Sequence, residues 1–202
     1  MPWIDTIPYE QSTGRLRRLY DRVKGSGDNI DNVMMIHSLR PHSMEGHMAL
    51  YKHVLHHSAN TVAKSFLETI GVWVGRLNDC EYCVAHHFAG LRRLLGDEPR
   101  AAAVRTALET GKIESGPFEP CEMLALRYAE ALTRAPASVT AAMVEGLRSA
   151  GYSDGEILEI NQVTAYFCYA NRTVLGLGCS TDGDVLGLSP NQPDDPENWS
   201  HQ

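Results

Sequence analysis

Residues 63 to 87 read Ala63-Lys64-Ser65-Phe66-Leu67-Glu68-Thr69-Ile70-Gly71-Val72-Trp73-Val74-Gly75-Arg76-Leu77-Asn78-Asp79-Cys80-Glu81-Tyr82-Cys83-Val84-Ala85-His86-His87. At 100° per residue, Ala63, Phe66, Leu67, Ile70, Val74 and Leu77 gather on one face of a helix. Ser65, Thr69 and Arg76 make a narrow polar strip, and Glu68 belongs to neither set. Asn78-Asp79 reads as a turn, with Asp79 as the N-cap of a second helix that holds Cys80 and Cys83 in its first turn.

The same period recurs outward from this segment. Toward the N-terminus the helix with Glu68 is expected to begin near Asn60. Before it come a stripe of Met44, Met48, Tyr51 and Leu55 starting at Ser43, and an apolar stretch from Val33 to Ile36 running into Pro41. A first helix after Ser12 carries Leu16, Leu19, Tyr20 and Val23, and Gly25-Ser26-Gly27 is expected to stop it. Toward the C-terminus, Gly96 and Pro99 end the cysteine segment, and Ala101 to Glu109 forms a small-residue helix closed by Gly111. Beyond a Gly- and Pro-rich loop at 111–120, Leu124, Tyr128 and Leu132 stripe a helix ended by Pro136. Ser138 is expected to cap the next helix, which stops at Gly151. Ser153 and Glu156 have capping-box spacing and open a long helix along Ile157, Ile160 and Phe167, punctuated by Gly176 and Gly178. Strict alternation is almost absent. The expectation is an all-α bundle of eight or nine helices: one domain over 1–190, in two helical halves joined by 111–120, then a polar tail over 191–202.

Composition narrows the function. The 202 residues hold 18 Lys+Arg against 25 Asp+Glu, a net charge of −7, where a general nucleic-acid binder needs a basic face. No apolar run approaches the roughly 20 residues that span a bilayer, and the start lacks a secretory pattern. These features predict a cytoplasmic protein with no nucleic-acid or membrane partner. In a reducing compartment the five cysteines are no disulfide framework. Cys121, Cys168 and Cys179 read as small buried hydrophobes. Cys80 and Cys83 form a Cys-x-x-Cys.

The surroundings of that pair carry chemistry. Glu68 has Gly71, Val72 and Gly75 as axial neighbours, small residues that let another backbone come close. A carboxylate there is partly buried, which raises its pKa toward the range of a general base, or else it reaches solvent past its glycines. A helix N-terminus favours the thiolate of Cys80 and Cys83. Spacings of three and four place Cys80, Cys83 and His87 on one face. A His one turn from a Cys can take its proton, and a second thiol one turn away can resolve a sulfenic acid into a disulfide. A structural zinc site would want four ligands, and no second Cys-x-x-Cys supplies them. The thioredoxin version follows a strand, whereas a helix precedes this pair. Two inert cysteines would leave the Asp79 cap and His87 as coincidence.

Glu68, eleven residues, Cys80-x-x-Cys83, three residues and His87 resemble the Glu-x11-Cys-x2-Cys-x3-His signature of alkylhydroperoxidase D-like (AhpD-like) proteins in the carboxymuconolactone decarboxylase superfamily. Leu19-Tyr20-Asp21, Ser38-Leu39-Arg40-Pro41, Asn171-Arg172 and Gly176-Leu177-Gly178 are similar to its peroxidase-related branch, so the resemblance covers roughly residues 1–190. It implies a helical bundle in a homotrimer or homohexamer, and a thiol-dependent peroxidase or disulfide oxidoreductase acting on hydroperoxides. It implies Cys83 as the peroxidatic thiol, Cys80 as the resolving partner that meets the reductant, His87 as proton relay, and Glu68 as the base behind it through a water. The implied reductant is a dithiol, a lipoyl group or a redox protein such as a peroxiredoxin, with no cofactor and no metal. The resemblance gives Tyr82 and His86 no role beyond shaping the pocket.

Two rivals remain open on these residues: a decarboxylase-type lactone enzyme on the same fold, indifferent to the cysteines, and a redox-sensing oligomer without turnover. Six histidines lie between His37 and His57; His53 and His57 have metal-pair spacing but no accompanying acidic ligand, and read as a polar helix face. Tyr166, Phe167 and Tyr169 read as core or interface aromatics, and Trp199 as part of a disordered tail.

Overall fold

Ten consecutive residues, Phe66 to Gly75, are buried along one helix, α4 (Lys64–Leu77). A helix covered on every side needs neighbours all round it. Here they are α5 (Glu81–Leu95), α7 (Pro120–Arg134) and α9 (Asp154–Gly176). Two further helices support them: α6 (Glu98–Thr110) against α5, and α8 (Ala141–Ser149) against α7 and α9. On the N-terminal side α1 (Gly14–Val23), the single turn α2 (Asn32–Met35) and α3 (Pro41–Tyr51) form a second layer. The computed structural model describes residues 2–25, 29–195 and 198–201. Among them the architecture is all-α, nine α-helices and no strand, with one isolated bridge between Pro190 and His201. Also among them, no helix is long and apolar enough to cross a membrane.

Two apolar clusters hold the helices together. The larger runs from Leu67, Ile70 and Trp73 on α4 through Leu91 and Leu108 to Leu126, Ile160 and Phe167. The smaller joins Leu16, Leu19, Tyr20 and Val23 of α1 to Met44 and Met48 of α3. The expected α1 face is thus the buried one. α1 ends at Val23; Ser26 and Gly27 of the expected stop lie outside the described residues. α9 opens on the expected capping box: Ser153 Oγ accepts from the Glu156 N–H, and Glu156 accepts from the Ser153 N–H at 2.8 Å.

Several boundaries differ from the sequence expectation, each for a local reason. α4 starts at Lys64 rather than near Asn60; ahead of it, the N–H groups of Thr61 and Val62 donate to the Glu159 carboxylate on α9. Asp79 is not the cap of α5: it takes a left-handed turn, φ +54°, with its side chain exposed, and Cys80 stands at the N-cap. Pro99 begins a helix instead of ending one. Within the first turn of α6 its missing N–H costs nothing, while the Asp97 side chain accepts from Arg100 N–H. Ser138 closes a 3₁₀ turn, and Thr140 is the cap of α8. On α7 Leu124 faces outward, and the buried face is Ala125, Leu126, Tyr128 and Ala129. Cys121, Cys168 and Cys179 are half-buried, not buried.

The C-terminal segment is the largest correction. Asn191, Gln192, Asp194 and Asp195 are exposed, but the segment is anchored to the body of the chain. Trp199 is buried in the smaller cluster with the Arg22 guanidinium over its ring. Lys52, itself buried, donates from Nζ to the carbonyls of Gln192, Asp195 and Asn198. An ammonium withdrawn from water needs that many acceptors, and a run rich in Pro and Asp gives no hint that its carbonyls will supply them.

Candidate active site

Glu68 comes from the middle of α4, and the Asn78-Asp79 turn brings Cys80, Cys83 and His87 back against it. The return is tight: Cys80 N–H donates to Gly75 O at 2.8 Å, and a Cβ on Gly75 would stand 3.2 Å from Val84 Cγ2 and 3.6 Å from Cys83 Cβ. Glycine at 75 is therefore what lets the two helices touch at the cysteines. Gly71 performs the same service for α9, whose Phe167 ring occupies the space of its absent side chain.

Glu68 is 3% exposed. Its Oε2 accepts from His87 Nδ1 at 2.8 Å, and the His87 ring is clamped edge-on against Phe167. Of the two expectations for Glu68, burial is the one realised. The sulfurs of Cys80 and Cys83 are hydrogen-bonded at 3.1 Å and unbridged. Cys80 has no exposure, and Cys83 almost none. The Cys83 thiol and its N–H hold the Cys80 thiol below its ordinary value, against burial. Cys83 is pushed well above its own, by the hydrogen bond to Cys80 and then by burial. Two sulfurs this close do not both ionise, and of the two it is the Cys80 thiolate that the surroundings favour. Both thiols were expected to be favoured as thiolates; Cys83 is instead raised, and Cys80 is lowered chiefly by its hydrogen bond with Cys83. One neighbour favours the Cys83 anion: the side chain of Asn171, whose Oδ1 accepts from Asn78 at 3.0 Å.

Cys83, Glu68 and His87 open onto one cavity. Its other walls come from α3 (His47, Met48, Tyr51), from α9 (Tyr166, Ala170, Val174), and from Leu188 and His201 of the C-terminal segment. Cys80 does not line it. Burial drives two of the wall histidines down, His47 to about 3 and His201 to about 4, so both rings are neutral at physiological pH.

Some residues at the site were invisible to sequence reasoning. Asp184, its side chain 2% exposed, accepts from Tyr82 Oη at 2.6 Å, pairs with His86 Nε2 at 3.1 Å and caps α2 through Asn32 N–H. Tyr82 and His86 thus do more than shape the pocket. They tie the cysteine helix to a loop 98 positions away, a separation that no spacing rule reaches. Tyr166, read as a core aromatic, is buried but also faces the cavity. His53 and His57 stack on one another at the surface, whereas His37, His47 and His56 are buried. Among the described residues no group of three His, Cys, Asp or Glu side chains could hold a metal ion.

No family model and no curated protein matches the chain. Solved structures do. A peroxidase-related protein from Ralstonia eutropha JMP134, uncharacterised and described as an alkylhydroperoxidase AhpD core, superposes with a TM-score of 0.77 at 21% identity, over 92% of this chain and 96% of its own. An uncharacterised peroxidase-related protein from Silicibacter sp. TM1040 gives 0.72 at 24% identity, over 89% and 88%. Protein ATU0492 from Agrobacterium tumefaciens, of unknown function, gives 0.60 at 23%, over 72% and 94%. Together with the nine-helix architecture, these likenesses show that the chain has the AhpD-type helical fold.

Proposed function

We propose that the chain is a thiol-dependent peroxidase that reduces hydroperoxides through Cys83 and Cys80. The observation that carries this reading is the meeting of Cys83, His87 and Glu68 at one cavity wall, with Cys80 Sγ 3.1 Å behind Cys83. Once the pair has lost one proton, the other is shared between the two sulfurs, 3.1 Å apart. Transfer of that proton along the S···S line puts the thiolate on Cys83, the sulfur that faces the cavity. His87, with the Glu68 carboxylate behind its Nδ1, receives the pair's first proton through a water.

The Cys83 thiolate attacks the terminal oxygen of the hydroperoxide. The O–O bond breaks, Cys83 becomes a sulfenic acid, and the leaving alkoxide takes the proton held by His87. Cys80 then attacks Cys83 sulfur, the S–O bond breaks, and water leaves as the disulfide closes. A dithiol returns two electrons and two protons. A lipoyl group or a redox protein such as a peroxiredoxin fits that role. A reducing, cytoplasmic compartment suits such a transient disulfide, and a homotrimer or homohexamer is the proposed assembly.

One observation favours a second reading. Cys80 has no exposure within the chain, so a disulfide there meets an external dithiol only after local opening, as a slow redox sensor would. Turnover separates the two. With peroxide and excess dithiol, the parent should cycle many times and Cys83→Ser not at all. A parent that forms one Cys80–Cys83 disulfide and stops supports the sensor. A parent no more active than Cys83→Ser, with several peroxides and reductants, sinks the peroxidase.

A further inference from the structure

The two sulfurs differ in what surrounds them. Cys83 stands at the cavity wall, and Cys80 does not line it. Cys80 has no exposure: it is buried with Tyr82, Cys83 and Val174, and Val33 and Cys179 pack against that group. This cover is hydrogen-bonded in place. Tyr82 Oη accepts from Val33 N–H at 3.1 Å and donates to Asp184 at 2.6 Å. Asn32 Nδ2 donates to the Ser180 and Asp182 carbonyls, each at 3.0 Å. Substitution at sulfur is in line, the nucleophile arriving opposite the group that leaves. When Cys80 displaces water from the Cys83 sulfenic acid, it therefore comes from the side opposite the oxygen, and the oxygen is on the cavity side, where the peroxide arrived. By the same alignment, a thiolate in the cavity meets Cys83 sulfur with Cys80 behind it as the leaving group.

We propose that the reductant enters by the same cavity as the peroxide and attacks Cys83, with Cys80 as the leaving thiolate. The assignment rests on the Cys80–Cys83 disulfide of the peroxidase reading. It departs from the family resemblance, which implies Cys80 as the sulfur that meets the reductant. A dithiol that had to reach Cys80 would wait for the cover to open; one that attacks Cys83 does not. The first thiolate bonds to Cys83 Sγ, the S–S bond breaks, and its electron pair stays on Cys80. The second thiol of the reductant then attacks the sulfur now attached to Cys83. That bond breaks, the dithiol leaves as a cyclic disulfide, and the two protons it gave up end on Cys80 and Cys83. Exchange is also faster when the leaving thiol is the more acidic one. Cys80 is held below its ordinary value by the Cys83 thiol and, against burial, by the Cys83 N–H, which stays in place when Cys83 sulfur is derivatised. Cys83 is pushed well above its own, by the hydrogen bond to Cys80 and then by burial. Peroxide and reductant thus take turns in one chamber, and the reductant carries its thiols on a group slim enough to enter it.

The test starts from the disulfide made with diamide, which takes up the two thiol hydrogens without any peroxide, and the other three cysteines are then capped with N-ethylmaleimide. 2-Mercaptoethanol is added, and the protein thiol it frees is capped at once with methyl methanethiosulfonate. Mass-spectrometric fragmentation of the peptide from Leu77 to Arg92 places each group. The mercaptoethanol adduct should stand on Cys83 and the methylthio group on Cys80. A second measurement reads the chamber, of which Leu188 is a wall. In Leu188→Trp, oxidation by cumene hydroperoxide and reduction by dithiothreitol should both slow by about tenfold, the effect of about 1.4 kcal/mol in each barrier. An adduct on Cys80, an adduct divided evenly between the two, or a variant slowed in oxidation but not in reduction overturns the assignment. Should Leu188→Trp fail to fold, the position of the adduct decides. A chain that diamide does not convert to the Cys80–Cys83 disulfide removes the thiol-pair reading, and this assignment with it. A disulfide that forms with diamide but with no peroxide removes the peroxidase reading alone, and the adduct still decides which sulfur the reductant attacks.

Discussion

Glu68 reaches His87 through a single 2.8 Å hydrogen bond and is closed off from solvent, so its charge is spent on one imidazole. When His87 takes a proton, the carboxylate is the counter-charge that keeps a buried imidazolium affordable. Glu68→Gln keeps the shape and an acceptor oxygen but removes that charge. Thiol oxidation by peroxide should fall about 10²-fold, within the span usual for acid–base groups, while reduction of a preformed Cys80–Cys83 disulfide by dithiothreitol keeps its rate. Stopped-flow measurement of both half-reactions checks this; equal slowing of the two would mean that Glu68 only holds the helices in place. At this scale the sequence was informative where partners share a helix or a hairpin. Glu68, Cys80, Cys83 and His87 announce themselves by interval. Asp184, His47 and Tyr166 do not, since their partners lie 98 to 152 positions away and long-range pairing leaves no periodic mark.

Between helices, contact is governed by what is missing. A Cβ on Gly71 would lie 2.3 Å from Phe167 Cζ, far inside contact distance, and the same ring steadies His87. Gly71→Ala should destabilise the fold by about 1–3 kcal/mol, the usual range for overpacking, read as a lowered urea midpoint. Adding Phe167→Leu should restore part of that stability while leaving His87 less constrained. A single variant as stable as the parent would show that α4 and α9 are not pressed together as described. Glycine also marks how far elements could be read. Gly71 and Gly75 were visible as places of close approach, but nothing in the chain said that Phe167 would fill one and Cys83 with Val84 the other. The start of α4 was misplaced, and ahead of it the N–H groups of Thr61 and Val62 go to a side chain of another element, Glu159.

Across the molecule, the distinctive cost is the burial of neutral imidazoles. His47 and His201 are held at about 3 and about 4, and His56 well below 6.5, in each case chiefly by desolvation. Unfolded, these rings protonate near pH 6.5. Between pH 6.5 and about 4 the unfolded chain therefore binds more protons, and stability falls as pH drops through that window. For His201 alone the linkage approaches about 1.4 kcal/mol per pH unit below 6.5. Urea midpoints from pH 7 to 4 should decline for the parent and decline less for His201→Gln; parallel curves would mean that His201 is solvated. The all-α class and the order of the helices were legible from periodicity. The second layer's dependence on Trp199 and Lys52 was not, because it rests on one indole and three carbonyls in a segment of polar composition.

The carboxylate, both thiols and the imidazole lie within 20 successive positions, so a single short stretch of coding sequence specifies the proposed reacting groups, and their relative placement depends on one interhelical turn. Apart from Gly90, the cavity's remaining walls are encoded separately, from residue 23 to 51 and from 166 to 201. Variation in those stretches can resize or recharge the chamber while the thiols stay in place, so under the proposed function substrate preference can drift independently of the thiol chemistry.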